Sequence, residues 1–262
     1  MRKLINVSKT LLLTYYAYML EYRAELFLWA LSGTLPFILM GIWIKAAQDG
    51  QFSLTPIEFA HYFLAAFIVR QTNVVWVIWE FEKDIVEGRL SPKLLQPIDP
   101  VWHHFTSHIS ERFARFPFIV GLVLFFFTLY PQSFWLPSIG QFLLFLLVIF
   151  IAFCLRFLIQ YTFALFAFWL ERASAIEQFW FLIYLFLSGM IAPLEVFPES
   201  VRNVVLWTPF PYLVHFPASI LMGLPVNLGQ GLLVMLSWGV LFFVCNRWLW
   251  RLGLKQYSGM GA

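Results

Sequence analysis

Long apolar runs separated by short polar segments constrain this chain more than any other feature. Six runs reach or approach the length of about 20 residues that a helix needs to cross a bilayer, at positions 26–44, 59–79, 116–135, 139–170, 176–193 and 228–249. The fourth run exceeds one crossing, so we expect it to tilt or to project beyond the membrane. Only 12% of the residues are charged, against about 25% in soluble domains. Runs of this length suit helices, which satisfy their own backbone groups in lipid. The pattern predicts an all-α membrane protein with six transmembrane helices in a single domain, residues 1–262.

The N-terminal residues 1–25 are predicted to form an amphipathic helix on the membrane surface. Arg2, Lys3 and Lys9 precede a short apolar run, and no small-residue cleavage site follows that run. A cleaved signal peptide needs such a site, whereas basic helices rich in aromatic residues lie in the membrane interface. We therefore expect an interfacial helix here and not a removed leader.

The distribution of Lys and Arg predicts the orientation of the chain. With both termini inside, most of the 17 basic residues flank the inner ends of the runs, and only Lys45 and Arg202 lie in outer loops. Basic residues accumulate in the cytoplasmic loops of membrane proteins. We expect a multi-pass protein of a bacterial-type inner membrane with both termini in the cytoplasm. The net charge of +3 follows from this topology and from anionic lipid, so we expect no nucleic-acid partner.

The end of the fifth run is interrupted by prolines. Gly189 precedes Pro193, and Glu195 lies between Pro193 and Pro198. Broken backbone at membrane depth is tolerated only where protein or a water-filled cavity surrounds it. Residues 193–227 are therefore expected to form a re-entrant or extracytoplasmic segment. Glu195 either gates the outer mouth of a pathway or lies exposed in a loop, and the sequence leaves both open.

The largest inner loop, residues 80–100, contains residues that typically end one helix and start another, which predicts a short helix. Gly88 is a natural helix stop, and Pro92 suits the first turn of a new helix. This short helix is expected to present Leu94 and Leu95 beyond the membrane. An ordinary cytoplasmic loop is the alternative.

Two sets of residues are similar to motifs of type-2 ABC exporter permeases, which are the six-span membrane subunits of ATP-driven exporters. The set in the inner loop comprises Gly88, Arg89, Leu90, Leu94, Leu95 and Pro97. The set at the broken run comprises Ser188, Gly189, Pro193, Leu194, Phe197 and Pro198, followed by Pro209, Phe210, Pro211 and Tyr212. The resemblance implies that the first set forms a coupling helix that docks on an ABC ATPase. It also implies that the second set marks the end of the fifth span and a re-entrant segment.

The resemblance further implies the partners of the chain. In this family the pathway forms between two permeases, each bound to one ATPase, so we expect a second copy or a related permease in the bilayer. The sequence contains no G-x-x-x-x-G-K-[ST] phosphate loop. ATP and Mg²⁺ are therefore expected on the partner ATPase, and we expect neither catalytic residues nor a directly bound cofactor in this chain. Transport is expected to be outward.

Arg70 and Arg156 are the basic residues that fall within runs, away from the run ends. A charge inside a bilayer is costly and usually faces protein or water. Arg70 either belongs to the pathway or bonds backbone carbonyls or reaches the membrane surface. Arg156 lies near the inner end of its run, which favours extension of its guanidinium to the inner surface. The predicted pathway and gate residues are Arg70, Gly189, Pro193, Glu195 and Pro198.

Two other classes of function compete with transport. His104, His108 and Glu111 share one helix face, with His103 beside them, and such a set can hold Zn²⁺. The segment leads into the third run, so we expect water and lipid headgroups around these side chains and no metal. The signatures H-E-x-x-H and G-x-S-x-G do not occur. A membrane scaffold that binds partners without moving cargo is the main alternative.

Overall fold

The computed structural model describes residues 2–48, 50 and 52–257, with side chains from residue 6 onward. The remaining parts of the predicted domain of residues 1–262 lie outside the described residues. Within the described part the chain is helical and contains no β-strand. The α-helices are α1 (Arg2–Glu21), α2 (Arg23–Ser32), α3 (Leu35–Ala47), α4 (Pro56–Thr72), α5 (Val77–Val86), α6 (Leu90–Leu94), α7 (Val101–Leu129), α8 (Ile139–Ala164), α9 (Ser174–Leu187), α10 (Glu199–Val205), α11 (His215–Met222) and α12 (Leu228–Gln256).

Five helical segments of the described chain are long and apolar enough to cross a membrane. They are Arg23–Ala47, Pro56–Val86, Val101–Leu129, Ile139–Phe168 and Leu228–Gln256. The predicted fifth run, 176–193, contains the shorter apolar helix α9, which has 14 residues. The all-α fold and the multi-pass membrane character are thus confirmed, and the count of six spans stays a prediction.

The predicted surface helix of residues 1–25 corresponds to α1, which ends at Glu21 before α2 begins. α1 packs along α7. The Tyr15 hydroxyl lies 3.2 Å from His103 Nδ1, and Ser110 Oγ donates to Leu12 O at 3.1 Å. These contacts attach α1 to the helix bundle, and its position at the membrane interface stays a prediction.

Local sequence fixes the starts of the two central helices. At α4, the Thr55 hydroxyl accepts from the Glu58 amide while the Glu58 carboxylate accepts from the Thr55 amide. Ser138 and Gln141 make the same reciprocal pair at the start of α8. A capping box of this kind satisfies two of the amide donors that a helix N-terminus leaves free.

The second predicted run, 59–79, is not one continuous helix. α4 ends at Thr72, α5 begins at Val77, and the residues between them are not helical. The predicted second span nevertheless falls within the segment Pro56–Val86, which is long and apolar enough to cross a membrane. Asn73, the first residue of this break, is fully buried, and its Nδ2 donates to Leu213 O at 2.9 Å.

Buried apolar side chains form two clusters on either side of this break. The first lies between α3, α4, α8 and α11 and includes Phe63 and Val148. The second joins α5, α6, the end of α8 and α12 and includes Phe81, Leu90 and Trp250. α11 packs against both α4 and α8. The segment after α9 therefore returns into the helix bundle.

Candidate functional site

α7 supplies the hydrogen bonds that the break between α4 and α5 lacks. Arg112 donates from Nε to Thr72 O at 2.6 Å and from Nη2 to Val74 O at 2.9 Å. His108 Nε2 accepts a hydrogen bond from the Trp76 amide at 2.9 Å. Broken backbone at membrane depth is stable only when protein groups or water satisfy it. Side chains of α7 therefore hold this break in place.

A cavity of about 270 Å³ lies beside the break, between α5, α8 and α9. Arg70 and Arg156, the two arginines in the middle of apolar runs, both face it. The lining residues are Arg70, Val74, Val75, Trp76, Trp79, Arg156, Glu177, Gln178, Phe181 and Tyr184. Charged side chains inside membrane proteins usually face such cavities. We call this space the arginine cavity.

Arg156 is the most deeply buried basic group of the arginine cavity. Its side chain lies over the Tyr184 ring, 4.5 Å from the ring centre, and the residue is only 7% exposed. The prediction that Arg156 reaches the inner membrane surface is therefore wrong. The guanidinium instead faces the cavity that Val74, Val75 and Trp76 of the break also line. Arg156 Nε and Nη1, and Arg70 Nη1, have no hydrogen-bond partner among the described residues.

Glu177 provides the carboxylate of the arginine cavity. It is 4% exposed, and it accepts a hydrogen bond from the Gln160 amide nitrogen on α8. The helix that carries it is fixed at its start, because Glu82 on α5 accepts from the Ser174 amide at 2.7 Å. With two arginines and one carboxylate, the formal charge of the cavity lining is +1. The geometry combines surplus positive charge with aromatic walls.

The predicted gate residues lie elsewhere, around the turn that follows α9. Gly189 has a φ of +87° and its carbonyl accepts from the Tyr62 hydroxyl at 2.7 Å. The His215 amide donates to Ser188 O at 3.0 Å. Glu195 Oε1 lies 3.6 Å from His215 Nε2. These residues close the turn against α4 and α11.

The structure therefore divides the five predicted pathway residues between two places. Arg70 lines the arginine cavity, whereas Glu195 lines a second cavity of about 160 Å³ together with Arg202 and His215. Pro193 is buried at the turn, and Pro198 is exposed at the start of α10. Glu195 is neither a free loop carboxylate nor fully paired, because its Oε2 is buried without a hydrogen-bond partner among the described residues.

His215 is the titratable centre of the turn and lies outside the helices long enough to cross a membrane. Burial lowers the pKa of His215, with a smaller opposing effect from Glu195. A neutral ring is therefore favoured near pH 7. Since the Tyr62 hydroxyl donates to Gly189 O, the His215 ring is placed to donate to the same hydroxyl from Nδ1, at 3.3 Å.

The inner loop, residues 80–100, contains the predicted short helix, α6. Gly88 ends the preceding helix with a φ of +70°. Leu90 is fully buried, whereas Leu94 is 36% and Leu95 is 88% exposed. One of the predicted coupling leucines thus anchors the helix in the core, and the other two form an apolar tip. We call Leu94 and Leu95 the leucine tip.

Ion pairs attach α6 to α5 and α7. Lys93 on α6 pairs with Asp84 on α5, and Asp84 also lies 3.0 Å from His104 Nε2 on α7. His104 Nδ1 lies 3.1 Å from Glu80. The other two predicted coupling residues are on the surface: Arg89 pairs with Glu87 at 2.8 Å, and Pro97 is exposed.

The histidine-rich face of α7 is not surrounded by water and headgroups, so that prediction is wrong. His104, His108 and Glu111 are each at most 8% exposed. The two histidines face α5 and α8, where His104 lies against Phe81 and Tyr161 and His108 lies against Phe157. Glu111 forms an ion pair with Arg115, and His103 lies against Tyr15. No group of three or more potential metal ligands occurs among the described residues.

Comparison with known protein families shows the family to which this chain belongs. The family model described as "ABC-2 family transporter protein" matches residues 50–261. The chain belongs to the ABC-2 transporter family. No curated protein matches the chain. Permeases of this family are membrane transport components that are not themselves catalytic, and in general they work with ABC ATPases.

The roles of several residues that shape these sites in the ABC-2 permease were not predicted from the sequence. Arg112 and His108 bridge the break, Glu177 lines the arginine cavity, and Tyr62 and His215 hold the turn. One signal was available, since residues 70–73 form a polar stretch inside an apolar run. Such a stretch within a membrane helix indicates a buried or pathway-facing site.

Proposed function

We propose that this ABC-2 permease is the membrane half-subunit of an ATP-driven exporter in a bacterial-type inner membrane. Two permeases, identical or related, enclose the pathway, and each binds a separate ABC ATPase that carries ATP and Mg²⁺. Both termini lie in the cytoplasm, so that the loop of residues 80–100 faces the ATPase. The excess of Lys and Arg in the inner loops supports this orientation.

The observation that carries the proposal is the leucine tip. Leu95 is 88% exposed, so it contributes little to the core of the subunit. Here the helix beneath it is held by the fully buried Leu90 and by the pair of Lys93 with Asp84. An apolar tip on a rigid support suits docking into a groove of a partner protein.

Movement of α6 has a direct route to the arginine cavity. α6 is attached to α5 and α7 through Asp84 and His104. α5 holds the start of α9 through Glu82, and α7 holds the break through His108 and Arg112. Closure of the ATPases would push α6, shift α5 and α7, and change the space between α5 and α9. We propose this sequence as the coupling step.

We also propose that residues 193–227 form a re-entrant segment that closes the outer half of the pathway. α4 has 17 residues, and at 1.5 Å per residue it is about 25 Å long. The hydrogen bond from Asn73, just after α4, to Leu213 O supports a turning point of the segment deep in the bundle. Opening of the pathway would then release the turn at Gly189.

Mild-detergent purification of the tagged permease with its natural partners tests the proposal. Leu95→Asp places a charge on the leucine tip, and we expect it to abolish co-purification of a soluble ATPase that carries a phosphate loop. Leu136→Asp is the matched control, because Leu136 is 76% exposed and lies in a predicted outer loop. It should leave the complex intact. Equal recovery of the ATPase with both variants would contradict docking at α6.

The scaffold alternative predicts a different result. A scaffold would purify with other partners or alone, and no ATPase would be recovered with the wild-type chain in several detergents. It would also tolerate Arg70→Gln and Glu195→Gln in a cellular assay of its activity. The arginine cavity favours transport, since a scaffold does not need unpaired buried arginines beside broken backbone.

A further inference from the structure

We infer that the arginine cavity binds the small anionic headgroup, a phosphate or a carboxylate, of an amphiphile. Naming that amphiphile as cargo rests on the proposed transport function. Binding itself needs only the permease and no ATPase. The two claims can therefore be tested separately.

The unpartnered arginine atoms provide the first argument. Guanidinium groups stay charged in proteins, and a buried charged donor without an acceptor is destabilising. Arg156 is 7% exposed, and its Nε and Nη1 lack partners among the described residues, as does Arg70 Nη1. An anion in the cavity would supply those acceptors. The planar fork of a guanidinium matches two oxygens of a phosphate or a carboxylate.

The size and walls of the cavity provide the second argument. Its volume of about 270 Å³ lies just below the usual range for small-molecule pockets, which suits a headgroup and excludes a whole lipid. Trp76, Trp79 and Phe181 form its apolar walls. At the rim, Phe181 is 39% exposed, and the neighbouring Leu182 and Phe186 on α9 are each 54% exposed. An apolar tail attached to the bound anion would lie along this face of α9.

Glu177 provides a separate test of the inference, because its negative charge repels an anion in the same cavity. Its replacement by glutamine removes a negative charge and keeps a side-chain oxygen that accepts from Gln160. We therefore expect Glu177→Gln to bind an anionic amphiphile more tightly than the wild type. A gain of binding cannot result from misfolding, so this variant separates a site from a structural role.

The experiment is native mass spectrometry of the purified permease in dodecyl maltoside, without ATPase. The probes are phosphatidic acid and phosphatidylcholine with identical acyl chains, and inorganic phosphate as a competitor. We expect preference for phosphatidic acid, and at least about tenfold weaker binding in the double variant Arg70→Gln with Arg156→Gln, since hydrogen bonds to charged groups are lost. Arg172→Gln is the matched control, because Arg172 is exposed five positions before Glu177.

Each outcome decides a part of the inference. Equal binding of the two lipids by the wild type, or unchanged preference in the double arginine variant, would overturn the site. If Arg172→Gln also loses the preference for phosphatidic acid, that preference comes from surface charge, and the site is likewise overturned. Displacement of phosphatidic acid by inorganic phosphate at similar concentrations would overturn the amphiphile as ligand in favour of a free anion. If an ATPase fails to co-purify but the lipid preference holds, the proposed coupling fails and the site stands.

Discussion

Replacing Gly189 by alanine tests whether the turn after α9 depends on left-handed backbone and close packing. Gly189 has a φ of +87°, a region that costs other residues about 1–2 kcal/mol. A Cβ built there would lie 2.5 Å from the Tyr62 hydroxyl oxygen and 2.7 Å from His215 Cβ. The Tyr62 side chain must then move and lose its hydrogen bond to Gly189 O.

The expected loss of stability follows from these two effects. A buried donor left without its partner costs about 1–3 kcal/mol. Added to the backbone effect, the free energy of unfolding should fall by about 2–5 kcal/mol. At roughly 2–4 °C per kcal/mol for a chain of this size, the apparent melting temperature should fall by at least ~4 °C. Size-exclusion profiles of the detergent-purified permease after heating measure this shift.

The matched control is Gly239→Ala in α12. A Cβ at Gly239 meets no atom within 4 Å, and alanine favours a helix over glycine by about 0.5–1 kcal/mol. Its melting temperature should equal or slightly exceed that of the wild type. If Gly189→Ala behaves like this control, the argument that the turn requires glycine is refuted. Tyr62→Phe should lie between the two variants, since it removes only the hydrogen bond.

Three further predictions use the same measurement. Leu90→Ala truncates a fully buried side chain and should lower the free energy of unfolding by about 2–5 kcal/mol. Leu95→Ala, at an 88% exposed position, should change that free energy by less than about 0.5 kcal/mol. Equal effects of the two variants would contradict the anchoring role of Leu90. Asn73→Ala leaves Leu213 O without its partner at 2.9 Å and should cost about 1–3 kcal/mol, with faster proteolysis of residues 193–227. Because burial lowers the pKa of His215 from 6.5, the unfolded chain binds more protons below that pH. Stability should therefore fall as the pH drops below about 6.5, and His215→Asn should show a shallower loss when melting temperatures at pH 5 and pH 7 are compared.

Features that depend on neighbouring residues could be predicted from the sequence. Five of the six apolar runs lie in helices long enough to span a membrane, because length and composition determine that property. The short helix α6 was also expected, since Gly88 ends one helix and Pro92 suits the start of another. The leucine tip follows directly from these boundaries.

Features that depend on distant partners could not be predicted in this way. The break between α4 and α5 exists because Arg112 supplies a donor to Val74 O, 38 positions away. Without that contact the polar stretch 70–73 is equally compatible with a continuous helix. The position of Arg156 could not be predicted for the same reason, since its side chain faces a cavity lined by residues of the break and of α9. The burial of Leu90 likewise depends on α5 and α12, which meet only in the fold.

The location of the arginine cavity next to the break has a physical reason. A continuous helix satisfies its own backbone groups and leaves no need for polar neighbours. Once the helix ends at Thr72, polar side chains must approach to satisfy the backbone of the break, and His108 and Arg112 do so from α7. Val74, Val75 and Trp76 of the break also line the cavity that Arg156 faces. The break is thus next to both the polar side chains and the cavity. His104 and His108 lie one helical turn apart on α7, and the first contacts Asp84 near α6 while the second holds Trp76 at the cavity. If a partner docks on α6 as proposed, we expect its displacement to act on the cavity through this single turn of helix.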